Sequence, residues 1–105
     1  ELISGATYTD DMIRKTMQEC YASTDYILDP HGACGYKALK EQLQPSETGL
    51  FLETAHPAKF KDKVDEILST EIAVPERLAA FMKGTKQSIP MDKQFETFKQ
   101  FLMDT

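Results

Sequence analysis

Each of the chain's two histidines adjoins a proline, His31 directly after Pro30 and His56 directly before Pro57. Both positions fall at the mouths of predicted helices, where unpaired backbone amides and the positive end of the helix dipole collect anions. Asp29, Thr54 and Lys59 stand within a few residues of them, so imidazole, carboxylate, hydroxyl and ammonium groups gather near the end of one apolar run, Gly49 to Leu52. If that run is a strand of an open α/β sheet, its C-terminal end is where such folds bind ligands. Taken one at a time, the residues also have ordinary structural explanations. An Asp before Pro is a common turn residue, and a Thr before a helix is a common N-cap. Other chemistries find less support. Cys34 beside His31 or His56 has the residue types of a nucleophile pair, but nothing around it except Gly32 and Ala33, and a lone Cys packs equally well as a small apolar side chain. No C-x-x-C or H-x-x-x-H spacing offers a zinc site, and no glycine-rich loop offers a phosphate cradle.

The elements that must position these groups follow from apolar spacing. Leu2 to Tyr8 reads as a short extended lead into a helix capped by Thr9 or Asp10, with Met12, Ile13, Met17, Cys20 and Tyr21 on one face and an end near Ser23. Tyr26 to Pro30 should be a loop or a short extended run, because Pro30 disfavours helical geometry at the residue before it. A second helix starts near Gly32, with Ala33, Tyr36, Leu39 and Leu43 on its apolar side, and closes at Pro45 and Ser46. Gly49 to Thr54 has the look of a buried strand of a parallel sheet. After Pro57, Phe60, Val64, Ile67 and Leu68 predict a helix to Ser69. Pro75 opens another, with Leu78, Phe81 and Met82, that Gly84 would cap. Pro90 to Met103 predicts a last helix whose Met91, Phe95, Phe98 and Leu102 stripe reads as core.

Length and charge bound the rest. A chain of 105 residues is one domain's worth of core. Twelve Lys and Arg against 17 Asp and Glu leave a net charge of −5, which gives no footprint for a nucleic-acid backbone. The apolar runs are far shorter than the roughly 20 residues of a membrane helix, so no membrane partner is expected and a cytoplasmic setting is. Two cysteines are too few for a disulfide scaffold, and free thiols are expected. The chain opens on Glu1 rather than Met, which fits a piece of something longer.

Two stretches carry a resemblance. Asp29 to Leu39 reads D-P-H-G-A-C-G-Y-K-A-L, and Gly49 to Phe60 reads G-L-F-L-E-T-A-H-P-A-K-F. The first resembles the D/E-P-H-x-A-x-G/A-Y-x-A-L pattern of bacterial and fungal threonine synthases. The second matches that family's T-A-H-P-A-K-F run at all seven positions from Thr54 to Phe60. The likeness runs from about Thr9 through the final helix, most strongly from Tyr26 to Leu68, and it is to the C-terminal part of the family's proteins. It implies a lyase that uses pyridoxal 5′-phosphate (PLP) to convert O-phospho-L-homoserine and water into L-threonine and phosphate, in a fold-type II, tryptophan synthase β-like framework. The cofactor-carrying lysine and the loop for the cofactor phosphate lie upstream in that family. Lys37 and Lys59 therefore take neither role, and the chain alone should be inactive. Thr54 matches the position whose hydroxyl meets the pyridine nitrogen. Asp29, Pro30 and His31 match a loop that passes near the cofactor ring, and His56 and Lys59 flank Thr54. This gives Thr54, Asp29, His31 and His56 as the candidate cofactor-binding residues, with no catalytic or metal residue. Cys34 stands where the family commonly has Val.

The expected architecture is thus α/β: a single domain over residues 1–105, mostly helical, with at least four helices and a small or incomplete sheet around Leu50 to Glu53. The expected partners are the upstream part of the same enzyme and a small-molecule substrate, with self-association through the face that the upstream part would cover. The competing expectation is a freestanding, non-catalytic α/β interaction domain that works through its apolar helix faces.

Overall fold

A computed structural model describes residues 3–105; Leu2, part of the expected extended lead, lies outside them. Thr9 opens α1, Asp10–Thr24, its hydroxyl accepting the Met12 amide at 3.4 Å, with Asp10 and Asp11 in the first turn against the positive end of the dipole. The helix stops where Asp25 turns left-handed at φ 59° and returns its amide to the Tyr21 carbonyl, a conformation that Asp tolerates better than most residues. Helix α2, Pro30–Gln42, starts two residues before the expected Gly32. Proline at the first helical position needs no donor and arrives with a helical φ, and Asp29 completes the start by accepting the His31 amide at 2.9 Å.

Beyond α2 the chain turns at Gln44 to Glu47 and runs extended. Here the α/β expectation fails: among the described residues there is no strand, and the fold is helical. A strand exists only by exchanging N–H and C=O bonds with a neighbour, and among the described residues no segment pairs with the strand-like run. The run keeps strand-like alternation nonetheless. Phe51 and Glu53 are half-buried, the Phe51 ring lying 5.5 Å from that of Tyr36 on α2, while Leu50 and Leu52 are 80% and 73% exposed. Gly49 passes so close to Leu39 that a Cβ would overlap it.

A turn of 3₁₀ helix, Pro57–Phe60, leads into α3, Lys61–Leu68, which ends at Ser69 with φ 51°. The return loop is clipped back onto α3. Asp65 accepts the Ile72 amide at 2.9 Å, and Lys61 bonds both Asp65 and the Ile72 carbonyl, at 2.6 and 3.0 Å. Helix α4, Glu76–Met82, follows Pro75; Gly84 has no positive φ, so the expected left-handed glycine cap is not used. Helix α5, Phe95–Asp104, begins five residues after Pro90 because Asp92 accepts the Gln94 amide in a turn at 2.9 Å.

The core comprises Met17, Cys20, Leu28, Ala33, Ala58, Val64, Ile67 and Ile72, drawn from α1, α2, the 3₁₀ turn, α3 and the loops that join them. Helices α4 and α5 bury no residue, and the Phe95, Phe98, Leu102 stripe, expected as core, faces outward. The radius of gyration is 18.5 Å, against about 13 Å for a compact domain of this length. The accessible surface of 8805 Å² likewise exceeds the roughly 6,000 Å² expected of a compact monomer of this mass. No helix among the described residues is long and apolar enough to cross a membrane.

Candidate functional site

The two sequence stretches singled out above meet at the N-terminus of α2. Asp29 is wholly buried. Its Oδ1 accepts the His31 amide and lies 3.1 Å from His31 Nδ1, while the His31 side chain is mostly exposed and its ring packs 5.2 Å from that of Phe60. A carboxylate on Nδ1 fixes the proton there and leaves Nε2 of the neutral ring as an acceptor facing outward. His56 takes the opposite tautomer. Its Nδ1 accepts the Ala58 amide at 3.1 Å to cap the 3₁₀ turn, which leaves Nε2–H as a donor. The two imidazoles at the two helix mouths therefore present complementary faces, one accepting and one donating.

His56, not Thr54, is the N-cap of the turn after the extended run. Thr54 is exposed on that run and makes no hydrogen bond among the described residues. Lys59 is exposed, and Lys37 is tied to Glu41 at 2.7 Å with its ammonium 5.3 Å from the Tyr8 ring centre. Cys34 gives its thiol to the Pro30 carbonyl at 3.5 Å and has no imidazole partner; it and Cys20 are free thiols.

Asp29 and His31 are thus joined directly, and Thr54 is linked to them through Glu53, a residue the motif reading passed over. The Glu53 carboxyl packs over Gly32 on α2, in the space a Cβ there would occupy, and reaches Asp29. Burial first, and then the neighbouring Asp29 carboxyl, push Glu53 from its ordinary 4.5 up to about 7. On Asp29 burial acts upward, but bonds from Glu53, from the amide and ring of His31 and from the Gly32 amide outweigh it and hold the carboxyl below its usual range. His56 lines an open hollow of about 370 Å³ with Tyr26, Ile27 and Ile72.

The profile of the family described as threonine synthase, C-terminal, matches residues 32–102. The chain belongs to that family. The threonine synthase of Serratia marcescens is 43% identical over 98 residues, which are 93% of this chain and 23% of that protein. The crystal structure of threonine synthase from Escherichia coli superposes with a TM-score of 0.80 at 38% identity, over 90% of this chain and 22% of that one. The PLP-bound threonine synthase of Brucella melitensis superposes with a TM-score of 0.70 at 26% identity, over 90% and 20%. The chain spans less than a quarter of the length of the threonine synthases it matches. The helical arrangement described above is accordingly that of a C-terminal portion of threonine synthase.

Proposed function

We propose that this chain, as one domain, forms the C-terminal wall of the cofactor pocket in a cytoplasmic, PLP-dependent threonine synthase of fold type II, which converts O-phospho-L-homoserine and water into L-threonine and phosphate. The observation that carries this reading is the extended run Leu50 to Thr54: it alternates like a strand, lacks a strand neighbour, and turns Leu50, Leu52 and the unbonded Thr54 hydroxyl outward. The large accessible surface supports the same reading. Its excess over a compact monomer is about the size of an obligate interface, as expected of a piece whose upstream part covers it.

The residues present fit PLP on its ring side. When bound, the cofactor supplies the electron sink for the substrate's carbanion chemistry. Thr54 offers a hydroxyl to the pyridine nitrogen, and a neutral partner of this kind leaves that nitrogen largely unprotonated where a carboxylate would hold its proton. Asp29 is too deeply buried to touch the ring and serves instead to orient His31, whose Nε2 is left to accept a proton or a hydrogen bond. His56 contributes Nε2–H as a donor. Neither Lys37, engaged with Glu41, nor Lys59 is assigned to carry the cofactor.

A PLP titration followed by the absorbance of bound cofactor, with and without the upstream part supplied in trans, tests this. The expected result is no saturable band from the chain alone, and a band with phosphate release once complemented. A saturable band from the isolated chain would place a cofactor-carrying lysine here and overturn the assignment. Complementation that restores neither band nor phosphate release would favour the freestanding interaction domain.

A further inference from the structure

Three acceptor atoms are buried without a donor where α2 begins: Asp29 Oδ2 and both carboxyl oxygens of Glu53. Two ionised carboxylates in contact, shielded from water, would repel one another and leave these lone pairs unmet. One proton held between them removes both difficulties, as it does wherever two carboxyl groups share a dry site. We propose that Glu53 carries that proton and donates it to Asp29 Oδ2, and that this carboxyl–carboxylate bond is a positioning device that fixes the face on which Thr54 is presented. The inference rests on the reading that Thr54 meets the ring nitrogen of PLP.

The proton belongs to Glu53 because the donors belong to Asp29. The His31 amide, the His31 ring and the Gly32 amide all favour a charged Asp29, whereas only the Asp29 backbone amide favours a charged Glu53, and it is outweighed by burial and the Asp29 carboxyl. The opposite shifts of the two carboxyls agree with this order. Other titratable groups near the pair are few. From α2 there is His31, and from the approach to the 3₁₀ turn His56, whose Nδ1 is committed to the Ala58 amide. Among the described residues no side chain of α1, α3, α4 or α5 pairs with either carboxyl. Gly32 provides the room, since any Cβ there would displace the Glu53 carboxyl.

The bond acts on Thr54 through backbone geometry. Successive side chains of an extended segment point to opposite sides, so drawing Glu53 inward onto α2 turns Thr54 outward. Glu53→Gln keeps a donor for Asp29 Oδ2 that cannot ionise; Glu53→Ala removes it. Ionisation of Glu53 above about pH 7 should loosen the segment in the unsubstituted protein only.

The test uses the full-length enzyme that contains this chain. With glutamate labelled by carbon-13 at the carboxyl, the difference between unsubstituted and E53Q spectra should show one carboxyl titrating near 7, moved part of the way back toward the ordinary glutamate range by Asp29→Asn, which removes the neighbouring charge and leaves the burial. A carboxyl that titrates in the ordinary range overturns the shared proton, whatever Thr54 does. For positioning, E53A should weaken PLP binding about five- to tenfold, as loss of one hydrogen bond implies, while E53Q binds as the unsubstituted enzyme does at pH 6 and loses less affinity on going to pH 8.5. In a Thr54→Val background E53A should add nothing; an equal loss there overturns the positioning role. If Thr54→Val alone leaves PLP affinity unchanged, the assignment of Thr54 fails and the positioning role with it, and the carboxyl titration still decides the shared proton.

Discussion

Substituting Gly32 by Ala should have opposite effects on stability depending on what stands at position 53. Gly32 lies in the first turn of α2, buried, with a helical backbone that any residue can adopt. In an empty site, Gly→Ala in a helix gains up to about 1 kcal/mol through backbone entropy. This site is filled, and the nearest atoms to the new methyl all belong to the Glu53 carboxyl. That group must swing out, forfeiting its bond to Asp29. A hydrogen bond to a charged group is worth about 1.5–3 kcal/mol, so Gly32→Ala should cost on the order of 1–2 kcal/mol net. In a Glu53→Ala background the obstacle is gone, and the same change should stabilise by up to about 1 kcal/mol. The coupling between the two positions is then about 2–3 kcal/mol, well beyond the few tenths seen for independent sites. Urea unfolding of the four proteins at pH 6, where the pair holds its proton, measures it by the shift in midpoint at constant slope. A Gly32→Ala effect of the same sign and size in both backgrounds would refute the placement of Glu53 against α2.

Stability should also fall on the alkaline side. Glu53 is raised in the folded state, so its contribution is fully present below 4.5 and lost as pH climbs through about 7; the loss is at most about 3 kcal/mol. Asp29 is lowered, so its contribution runs the other way, present above the ordinary aspartate range and lost as pH falls through its lowered value. Urea midpoints followed from about pH 2.5 to 9 should pass through a maximum near the ordinary carboxylate range, and E53Q should flatten only the alkaline limb. Leu28→Ala, which empties a fully buried position between α1 and α2, should cost about 3 kcal/mol in the same assay, whereas Phe98→Ala on the exposed face of α5 should stay within about 0.5 kcal/mol. The isolated chain should self-associate as concentration rises, because Leu50, Leu52, Phe81 and Phe95 are exposed together with the rest of its large surface. Sedimentation velocity that shows a monomer over a wide dilution series would count against this, and Leu50→Ser with Leu52→Ser should shift the profile toward monomer.

Which parts of this structure could be read from the sequence depends on how local their causes are. Thr9 and Pro57 mark helix starts because capping and a fixed φ act within three residues, and both starts appear within a residue of their signals, while α2 starts at Pro30, two residues before the expected Gly32, because Asp29 caps it rather than only turning the chain. Gly84 and Pro90 mislead for the opposite reason. The chain leaves α4 without a left-handed residue, and Asp92 captures the Gln94 amide before a helix from Pro90 can form. The Met91 to Leu102 stripe has the spacing of a core face, and spacing says only that a face is apolar; whether something covers it depends on a second surface, and the described residues leave Phe95, Phe98 and Leu102 exposed.

The run from Gly49 to Thr54 sharpens the point. Its composition is that of a strand, its side chains alternate as a strand's do, and yet among the described residues it has no partner, because pairing is a property of two segments. Glu53 is hidden by the same logic. In sequence it is an acidic residue at the end of an apolar run, the commonest kind of solvent-facing position. Nothing local announces that Gly32, 21 positions earlier, leaves a hollow of the right size, or that Asp29 beside it has an oxygen without a donor. The motif residues on either side, Asp29 with His31 and Thr54 with His56, are visible as types at fixed spacings. The proton that couples the first pair to Thr54 arises only when folding brings one carboxyl against another. The chemistry of the ring-facing hydroxyl is therefore local, while its orientation is a tertiary property, and substitutions at Glu53 or Gly32 should alter cofactor binding without touching any residue that meets the ring.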